Sequence, residues 1–314
     1  MSEGKRTRIV KYIGTVLALG LFIYLLSRQD WNSVISLMAE VEALPVLIVF
    51  LLYIASIASN GFRWFSLLQN ARINFSLVDS ITTTFLGGFI SNFMPSTIGG
   101  DSVRFLYLMK FDNRKDICLA SLVIDRLLNI VLMGLFFPFA LLRFFPEMDD
   151  LISTLRSDDR GFIKPYLIAG TFGFIGDFWR KISQKVRKFL TSYRFFFYSP
   201  GSFLIPLSYA ILSLLLSFSG TYLMASELSI KVNFFEVAAI SSLVYIFTLI
   251  PISFNGLGIR ELIMTTLYLS VGASIEQATT LTLLTRLLMI LVSSIGFIWF
   301  GRIMSGIKLS KLFD

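Results

Sequence analysis

The stretch PSTIGGDSVR, residues 95–104, has a counterpart in PISFNGLGIR, residues 251–260. In both blocks a proline, a glycine and an arginine keep the same offsets. Each block is followed by a second arginine inside a long apolar run, in DRLLN at 125–129 and in TRLLM at 285–289. Because helix breakers and charges are costly in lipid, a set that occurs twice predicts one site built from two related halves.

The composition is that of a membrane protein with one integral domain, residues 1–314. Of the 314 residues 55% are hydrophobic and 15% are charged, whereas soluble domains carry about a quarter charged residues. With no histidine and a single cysteine, Cys118, the chain lacks the ligands of Cys/His zinc sites, the pairs of disulfides and the bases of Ser-His or Cys-His catalysis. Cys118 is expected to be a packing residue. The net charge of +8 is explained by basic loops between apolar runs rather than by nucleic acid.

Apolar runs give the expected helices, since a membrane crossing needs about 20 such residues. The candidate full spans are 9–27, 43–62, 117–143, 162–178, 203–225 and 277–301. Two further runs, 77–98 and 234–254, end in the two proline blocks. Segment 30–42 has apolar residues at helical spacing and is expected to lie at the membrane interface, and Trp64 is also expected near an interface.

The distribution of lysine and arginine predicts that both termini are cytoplasmic. Basic segments that should also face the cytoplasm are 63–76, 104–115 and 179–194, whereas the acid-rich segment 146–160 should face out. This places both flanks of 77–98 on the same side, so we expect that segment to enter the membrane and return. By the same reasoning 234–254 should dip from the opposite face, with the return arms formed by short helices after Arg104 and Arg260.

The two halves, about 8–145 and 160–305, correspond in order at an offset of 156–161 residues. Their opposite topology predicts an inverted repeat, a pattern common in transporters. The expected fold class is therefore an all-α integral membrane protein of two inverted repeats, with about six full transmembrane helices and two re-entrant segments.

The breaks in the two blocks are candidates for an anion site, because exposed N–H groups at a helix N-terminus bind phosphate. Glycine lets the backbone turn and approach a ligand closely, and proline ends the preceding helix. The residues expected to form this backbone turn are Pro95, Gly99, Gly100, Pro251, Gly256 and Gly258. The alternative is a kink that serves helix packing alone.

Charged and amide side chains near the breaks are candidates for substrate binding: Asn92, Asp101, Arg104, Asp125, Arg126, Asn255, Arg260, Glu261 and Arg286. Arginine binds phosphate in a bidentate manner. Arg126 is expected to pair with Asp125 or Asp101, and Arg286 with Glu261 or Glu236. The alternatives are a buried ion pair that fixes helix register, and, for Arg104, anchoring on the cytoplasmic side.

These blocks resemble the lysylphosphatidylglycerol synthase transmembrane family, a flippase-like family, over about residues 8–305. The resemblance rests on Asn92, Pro95 and the Gly99-Gly100-Asp101 run in the first block, on Asp125-Arg126, and on the matching second block. It implies a role in moving lipid between leaflets. Asp101 stands where a glutamate is expected. The sequence ends near residue 314 without the soluble aminoacyl-transferase domain of the full synthase, so we expect no synthesis of lysyl-lipid.

Together these observations predict a flippase, or translocase, for a phospholipid or polyprenyl-linked (glyco)lipid in the cytoplasmic membrane of a prokaryote. The four arginines would bind the lipid phosphate, and the three acids would compensate their charge or bind a cationic headgroup. The alternatives are a membrane transferase with a lipid-linked substrate and a non-catalytic subunit of a lipid or glycan assembly complex. Transport is favoured over an enzyme because the acids stand singly beside arginines. No cofactor or metal is expected. The expected partner is a membrane lipid, and a separate lipid-modifying enzyme or glycosyltransferase is a candidate; the oligomeric state is left open.

Overall fold

A computed structural model describes residues 31–94, 98–140, 143–144, 196, 198–249 and 259–305, and every regular element in these ranges is a helix. Within these ranges, four helices are long and apolar enough to cross a membrane: Ala43–Asn70, Lys115–Ala140, Pro200–Glu227 and Ile275–Ile303. The chain is therefore an all-α, multi-pass membrane protein, as predicted. The spans predicted at 9–27 and 162–178 lie outside the described residues.

The helices named below are given in chain order. They are α1 (Trp31–Glu40), α2 (Ala43–Asn70), α3 (Leu77–Phe93), α4 (Ile98–Leu108), α5 (Lys115–Leu135), α6 (Pro200–Glu227), α7 (Phe234–Thr248), α8 (Ile259–Ser270), α9 (Ile275–Ser294) and, after a 3₁₀ turn at Ile295–Trp299, α10 (Phe300–Met304). The segment predicted at the interface forms α1, which packs against α9 through the buried Val34 and its neighbours.

Helix α2 is longer than the sequence predicted. It continues past residue 62 to Asn70, so Arg63 is not part of a cytoplasmic flank but is buried inside the protein at 1% exposure. Trp64 is also fully buried rather than placed at an interface. The helix continues because no proline interrupts it and because the charge of Arg63 is neutralised by contacts within the protein, described below.

Helices α2 and α6 pack along their whole length in antiparallel directions. Tyr53, in the first half of α2, shares a hydrogen bond of 3.1 Å with Thr221 near the end of α6. Asn70, the last residue of α2, donates to the carbonyl of Ser202 at the start of α6, at 2.7 Å. As the residue number rises along α2, that of its partner falls along α6.

The order of the helices repeats. Helix α6 starts 157 residues after α2 and both have 28 residues, and α7, α8 and α9 follow α3, α4 and α5 at similar offsets. Ser56 and Ser213, which are separated by the same 157 residues, share a hydrogen bond of 3.1 Å at the centre of the α2–α6 contact. Equivalent residues of two related halves meet where a two-fold axis passes between them. Antiparallel pairing and this contact are what an inverted repeat requires, and the repeat itself stays a prediction.

Helices α3 and α4 form an antiparallel hairpin. Tyr107, near the end of α4, donates to Asp79 at the start of α3 over 3.0 Å, and Gly100 meets Gly87 closer to the tip. The 11 residues of α4 span only about 16 Å, too short for a hydrocarbon core of about 30 Å. The return arm begins earlier than predicted, at Ile98, so Arg104 lies within α4 rather than before it.

Helices α7 and α8 pack against each other and are the arms of the second hairpin. The two flanks of each hairpin lie at the same end of the molecule. After α4, Arg114 donates to the carbonyl of Arg72 before α3, at 3.3 Å. After α8, Gln277 donates to the carbonyl of Leu228 before α7, at 2.9 Å. Because α2 leads into the first hairpin and α6 into the second, and α2 and α6 are antiparallel, the two hairpins begin at opposite ends of the bundle.

Local sequence signals determine where α3 and α7, the first arms of the two hairpins, begin. Ser76 accepts a hydrogen bond from the backbone N–H of Asp79 at 3.0 Å and caps α3. Asn233 and Glu236 form a reciprocal capping box at the start of α7. Such caps satisfy N–H groups that have no partner inside the helix, so the sequence fixes where each arm begins.

Candidate functional site: an arginine-lined cavity

The described residues on either side of the two breaks line one cavity of about 350 Å³. The first hairpin contributes Asn92 and Gly100, and the second contributes Thr248 and Arg260. Helices α2, α5 and α9 complete the wall. Four arginines and two aspartates line this space, which we call the arginine cavity: Arg63, Arg104, Arg126, Arg260, Asp101 and Asp125.

Asp125 is the buried centre of the charges from the first half. Its Oδ1 accepts from Nε of Arg63 at 2.6 Å, and its Oδ2 accepts from Nη1 of Arg104 at 3.0 Å. Arg63 also donates to the side-chain oxygen of Asn129, one turn further along α5, at 2.5 Å. Both carboxylate oxygens of Asp125 therefore accept hydrogen bonds from arginines, which offsets the cost of burying this carboxylate at 3% exposure.

Arg104 has donors that no group among the described residues accepts. Its Nη1 lies 3.0 Å from Asp125 and 3.5 Å from Asp101, and its guanidinium carbon lies 4.2 Å above the ring of Trp64. Within the described part of the chain, the Nε and Nη2 atoms are buried without a hydrogen-bond partner. Buried donors without acceptors are rare, because each costs about 1–3 kcal/mol.

Arg126 pairs with Asp101, one of the two partners expected from the sequence. Its Nε donates to Oδ2 of Asp101, which links α5 to the first turn of α4. The side chain of Arg126 is 29% exposed, much more than that of Arg104. Of the two arginines paired with Asp101, Arg126 is therefore the more accessible from outside the cavity.

Arg260 is the arginine of the cavity that the second half supplies. It makes no hydrogen bond and no ion pair with any residue in the part of the chain that the structure describes, and it is half-buried. It also lines a second cavity of about 310 Å³ that adjoins the first. Its charge is uncompensated by direct contact, so it is available to a bound anion.

Arg286 pairs with Glu261, again one of the two expected partners. The contact joins Arg286 Nη1 and Glu261 Oε1 at 3.7 Å, and both side chains are largely buried. The other candidate, Glu236, pairs instead with Arg143 at 2.8 Å. Among the described residues, neither Arg286 nor Glu261 is part of the lining of the two cavities.

The remaining predicted site residues are partly described. Asn92 lines the arginine cavity and donates to the hydroxyl of Ser293 on α9 at 3.1 Å. A Cβ atom on Gly100 would lie 2.1 Å from the carbonyl oxygen of Gly87, so only glycine permits this contact of α3 and α4. A Cβ on Gly99 would lie 2.5 Å from the Cγ of Met94. The other predicted residues fall outside the described ranges: Pro95, Pro251, Asn255, Gly256 and Gly258.

Part of the cavity wall was not predicted from the sequence. Arg63 was assigned to a basic flank, and the amide residues Asn60 and Asn129 and the ring of Tyr245 were not singled out, although all of them line the cavity. The available signal was the repeat itself. The span predicted at 203–225 corresponds, at an offset of 157 residues, to 46–68, which includes Arg63.

Comparison with known proteins agrees with this architecture. Residues 12–296 match the family described as the lysylphosphatidylglycerol synthase TM region. The chain belongs to this family. The matched residues of this lysylphosphatidylglycerol synthase TM region include all four arginines of the cavity and both hairpins. The resemblance seen in the sequence motifs is thereby confirmed.

A curated relative is similar to part of this chain. The UPF0104 membrane protein PH1989 from Pyrococcus horikoshii is 27% identical over 135 residues. The match covers 42% of this chain and 40% of the relative, so it spans less than half of either protein. The name of that relative describes a membrane protein and no activity.

Proposed function

We propose that the chain moves a phosphate-bearing lipid between the two leaflets of a prokaryotic cytoplasmic membrane. The observation that carries this proposal is the arginine cavity, where four guanidinium groups face two carboxylates. The excess of positive charge fits an anionic group, and arginine matches the geometry of phosphate oxygens. A headgroup phosphate would supply the acceptors that the cavity lacks.

Two arginines are the primary phosphate ligands in this proposal. Arg104 presents buried Nε and Nη2 donors without partners, and Arg260 has its whole guanidinium uncommitted among the described residues. They come from different halves, so a phosphate between them joins the first hairpin to the second. Arg63 and Arg126 are tied to aspartates and hold the positive field in place.

The placement of the hairpins supports transport between two faces. They begin at opposite ends of the bundle, and the described residues next to their breaks line the same cavity. In inverted-repeat transporters the substrate site lies where broken helices of the two halves meet, and rocking of one half against the other exposes that site to each face in turn. We assign the same role to the arginine cavity.

The outer surface of the bundle suits a lipid with its tails in the bilayer. Leu44, Leu47 and Leu51 on α2, and Leu204 and Leu215 on α6, are exposed. Transfer of a charged headgroup through bare hydrocarbon is very costly because its hydration is lost. A polar cavity reached from the lipid lowers that cost for the headgroup while the acyl chains stay among apolar side chains.

The orientation belongs to the same proposal. With basic segments on the inside, both termini are cytoplasmic and the first hairpin enters from the cytoplasm. The lipid would be supplied or used by a separate lipid-modifying enzyme or glycosyltransferase.

The experiment measures crossing of fluorescent phospholipids in proteoliposomes with a membrane-impermeant quencher. Arg260→Gln should reduce the rate roughly ten- to a hundredfold, since a hydrogen bond to a charged group contributes about 1.5–3 kcal/mol. The Arg260→Gln variant should fold normally, because Arg260 forms no ion pair with a carboxylate among the described residues. The control is Arg72→Gln, which removes one charge from an exposed position outside the cavity and should leave the rate unchanged.

The alternatives predict different outcomes in the same vesicles. A change in lipid mass would indicate a transferase that uses a lipid-linked substrate. Neither crossing nor a mass change by the folded wild-type protein would indicate a subunit that acts only within an assembly complex. Crossing that Arg260→Gln and Arg104→Gln both leave intact would overturn the assignment of the arginine cavity.

A further inference from the structure

The cavity that adjoins the arginine cavity has a different chemistry. Its volume is about 310 Å³, near the low end of the range for small-ligand sites. Many of its lining side chains carry hydroxyl groups, and among the described residues Arg260 is its cation and no carboxylate lines it. We call it the hydroxyl cavity. Asn60, Asn129, Tyr245, Thr248 and Arg260 line both cavities, so the two spaces adjoin at these residues.

Some hydroxyls of this cavity are committed to the fold. Ser56 donates to the backbone carbonyl of Ser213 at 2.9 Å, and Tyr53 shares a hydrogen bond with Thr221. Thr248 donates to the carbonyl of Tyr245, one turn earlier in α7. These groups are satisfied by the protein and are not expected to select a ligand.

Other polar groups of the wall have no partner. The side-chain oxygen of Asn60 is buried and accepts no hydrogen bond. The hydroxyls of Ser217, Ser241 and Tyr245 make no hydrogen bond within the described residues. A hydroxyl can both donate and accept, and the Asn60 oxygen can only accept. The complementary ligand therefore carries several neutral hydroxyl groups.

A cationic headgroup lacks a place in either cavity. In the arginine cavity, Asp125 binds Arg63 and Arg104, and Asp101 binds Arg126. Both carboxylates are thus already neutralised by arginines. An ammonium group in the hydroxyl cavity would lie near the uncommitted Arg260 with no carboxylate in the lining to compensate it.

We propose that the hydroxyl cavity binds the neutral, polyhydroxylated part of a headgroup, of the glycerol, inositol or sugar class, whose phosphate binds Arg260 and Arg104. This inference rests on the proposed function for its lipid source. Arg260 borders both spaces, so a phosphate at its guanidinium directs the substituent that it carries into the hydroxyl cavity. The ligand is a phosphate ester of a polyol, and amine-bearing headgroups are disfavoured.

The first test compares headgroups on the same acyl chains in proteoliposomes. Fluorescent phosphatidylglycerol and phosphatidylinositol should cross at least roughly ten times faster than phosphatidylethanolamine, which carries an amine, and phosphatidic acid, which carries no headgroup substituent. The double variant Ser217→Ala/Ser241→Ala should reduce this preference to within about threefold. Equal or faster crossing of phosphatidylethanolamine by the wild-type protein would overturn the inference.

Matched variants separate selection from folding. Ser226→Ala removes an exposed hydroxyl of α6 that bonds its own helix, outside both cavities, and should leave the preference unchanged. Tyr245→Phe removes a single hydroxyl and keeps the ring. It therefore tests the role of the hydroxyl cavity in headgroup preference if the double serine variant does not fold. A preference that survives both the folded double variant and Tyr245→Phe would overturn the role of the hydroxyl cavity.

The second test measures binding without transport, so that the two proposals can fail separately. The thermal unfolding midpoint of the detergent-solubilised protein is recorded with short-chain phosphatidylglycerol, phosphatidic acid, phosphatidylethanolamine or water-soluble glycerol 3-phosphate. A shift with phosphatidylglycerol that Tyr245→Phe weakens supports the headgroup inference even if no lipid crosses. An equal shift with glycerol 3-phosphate supports the polyol phosphate and overturns its lipid source. A shift with phosphatidylethanolamine alone, or with none of the four compounds, overturns the inference.

Discussion

The two hairpins differ in how their charges are held. Around the first hairpin, the two carboxylate oxygens of Asp125 accept from Arg63 at 2.6 Å and Arg104 at 3.0 Å. Around the second hairpin, Nη1 of Arg286 and Oε1 of Glu261 are 3.7 Å apart. Arg260 forms no hydrogen bond and no ion pair with the described residues. The first half thus forms a tight ionic cluster, whereas the second half leaves a cation available.

This difference assigns different tasks to the halves. A closed network of buried charges fixes the positions of its members because each is costly to separate from its partners. An uncommitted guanidinium is free to change partner when the protein changes conformation. We therefore regard the first hairpin as the fixed wall of the site and the start of α8, the return arm of the second hairpin, as the part that responds to the ligand.

The largest expected effect comes from breaking the ionic cluster. Arg63→Met leaves Asp125 buried with Arg104 as its remaining partner and should lower the free energy of unfolding by about 3–5 kcal/mol. The matched Arg286→Met should cost less, about 1–2 kcal/mol, because the contact it removes is longer than a hydrogen bond. Unfolding in mixed micelles with increasing SDS measures both losses.

Arg72→Gln is the control for loss of a positive charge, since Arg72 is exposed, and its unfolding free energy should match that of the wild type. Equal losses for Arg63→Met and Arg286→Met would show that the two halves hold their charges alike, and the division into a fixed and a responsive half would be wrong.

An intermediate effect is expected at the contact that closes the first hairpin. A Cβ at Gly100 would lie 2.1 Å from the carbonyl oxygen of Gly87, so Gly100→Ala must push α3 and α4 apart. Overpacking of this kind costs about 1–3 kcal/mol. The shift would also move Arg104, one turn along α4, so crossing of lipid in proteoliposomes should slow together with the loss of stability.

The matched glycine substitution is Gly134→Ala in α5, where a Cβ meets no atom within 4 Å. It should be neutral or stabilise the protein by up to about 1 kcal/mol, because alanine is the better helix former. If Gly100→Ala behaved in the same way, the close approach of the two arms would not limit the geometry of the first hairpin.

Much of the fold could be predicted from the sequence, because membrane helices and their breaks leave strong local signals. Apolar length located α6 and α9, and the basic flanks on both sides of 77–98 predicted a returning segment. Charge also caused the main error, since Arg63 was taken as the end of α2. An arginine inside an apolar run marks an end only when no buried partner exists, and that partner, Asp125, is 62 residues away.

The pairing within the site was only partly predictable. Adjacent residues on a helix point in directions about 100° apart, so Arg126 was better placed to pair with Asp101 than with Asp125. The Arg126–Asp101 pair could therefore have been predicted from helix geometry. By contrast, the contact of Arg104 with the face of Trp64 depends on how α4 packs against α2 and has no local sequence signal.

The smallest expected effect lies at the bases of the hairpins. The contact at the first base has a charged donor, Arg114, whereas the contact at the second base has a neutral donor, Gln277. Arg114 donates to the Asp112 carboxylate and lowers the pKa of Asp112 below its ordinary value of 3.8. The stabilisation is therefore present above that value and is lost as the pH falls through the lowered pKa.

Arg114→Gln should reduce the stability at about pH 7 by at most about 1 kcal/mol, because Arg114 is exposed to solvent, and its deficit should narrow as the pH falls towards about 3. Gln277→Ala at the second joint removes a neutral hydrogen bond to Leu228, so its deficit should not change with pH. Thermal unfolding midpoints of both variants, each compared with the wild type across this range, measure the difference. A deficit of Arg114→Gln that stayed constant with pH would mean that the carbonyl contact with Arg72, rather than the ion pair with Asp112, accounts for the lost stability.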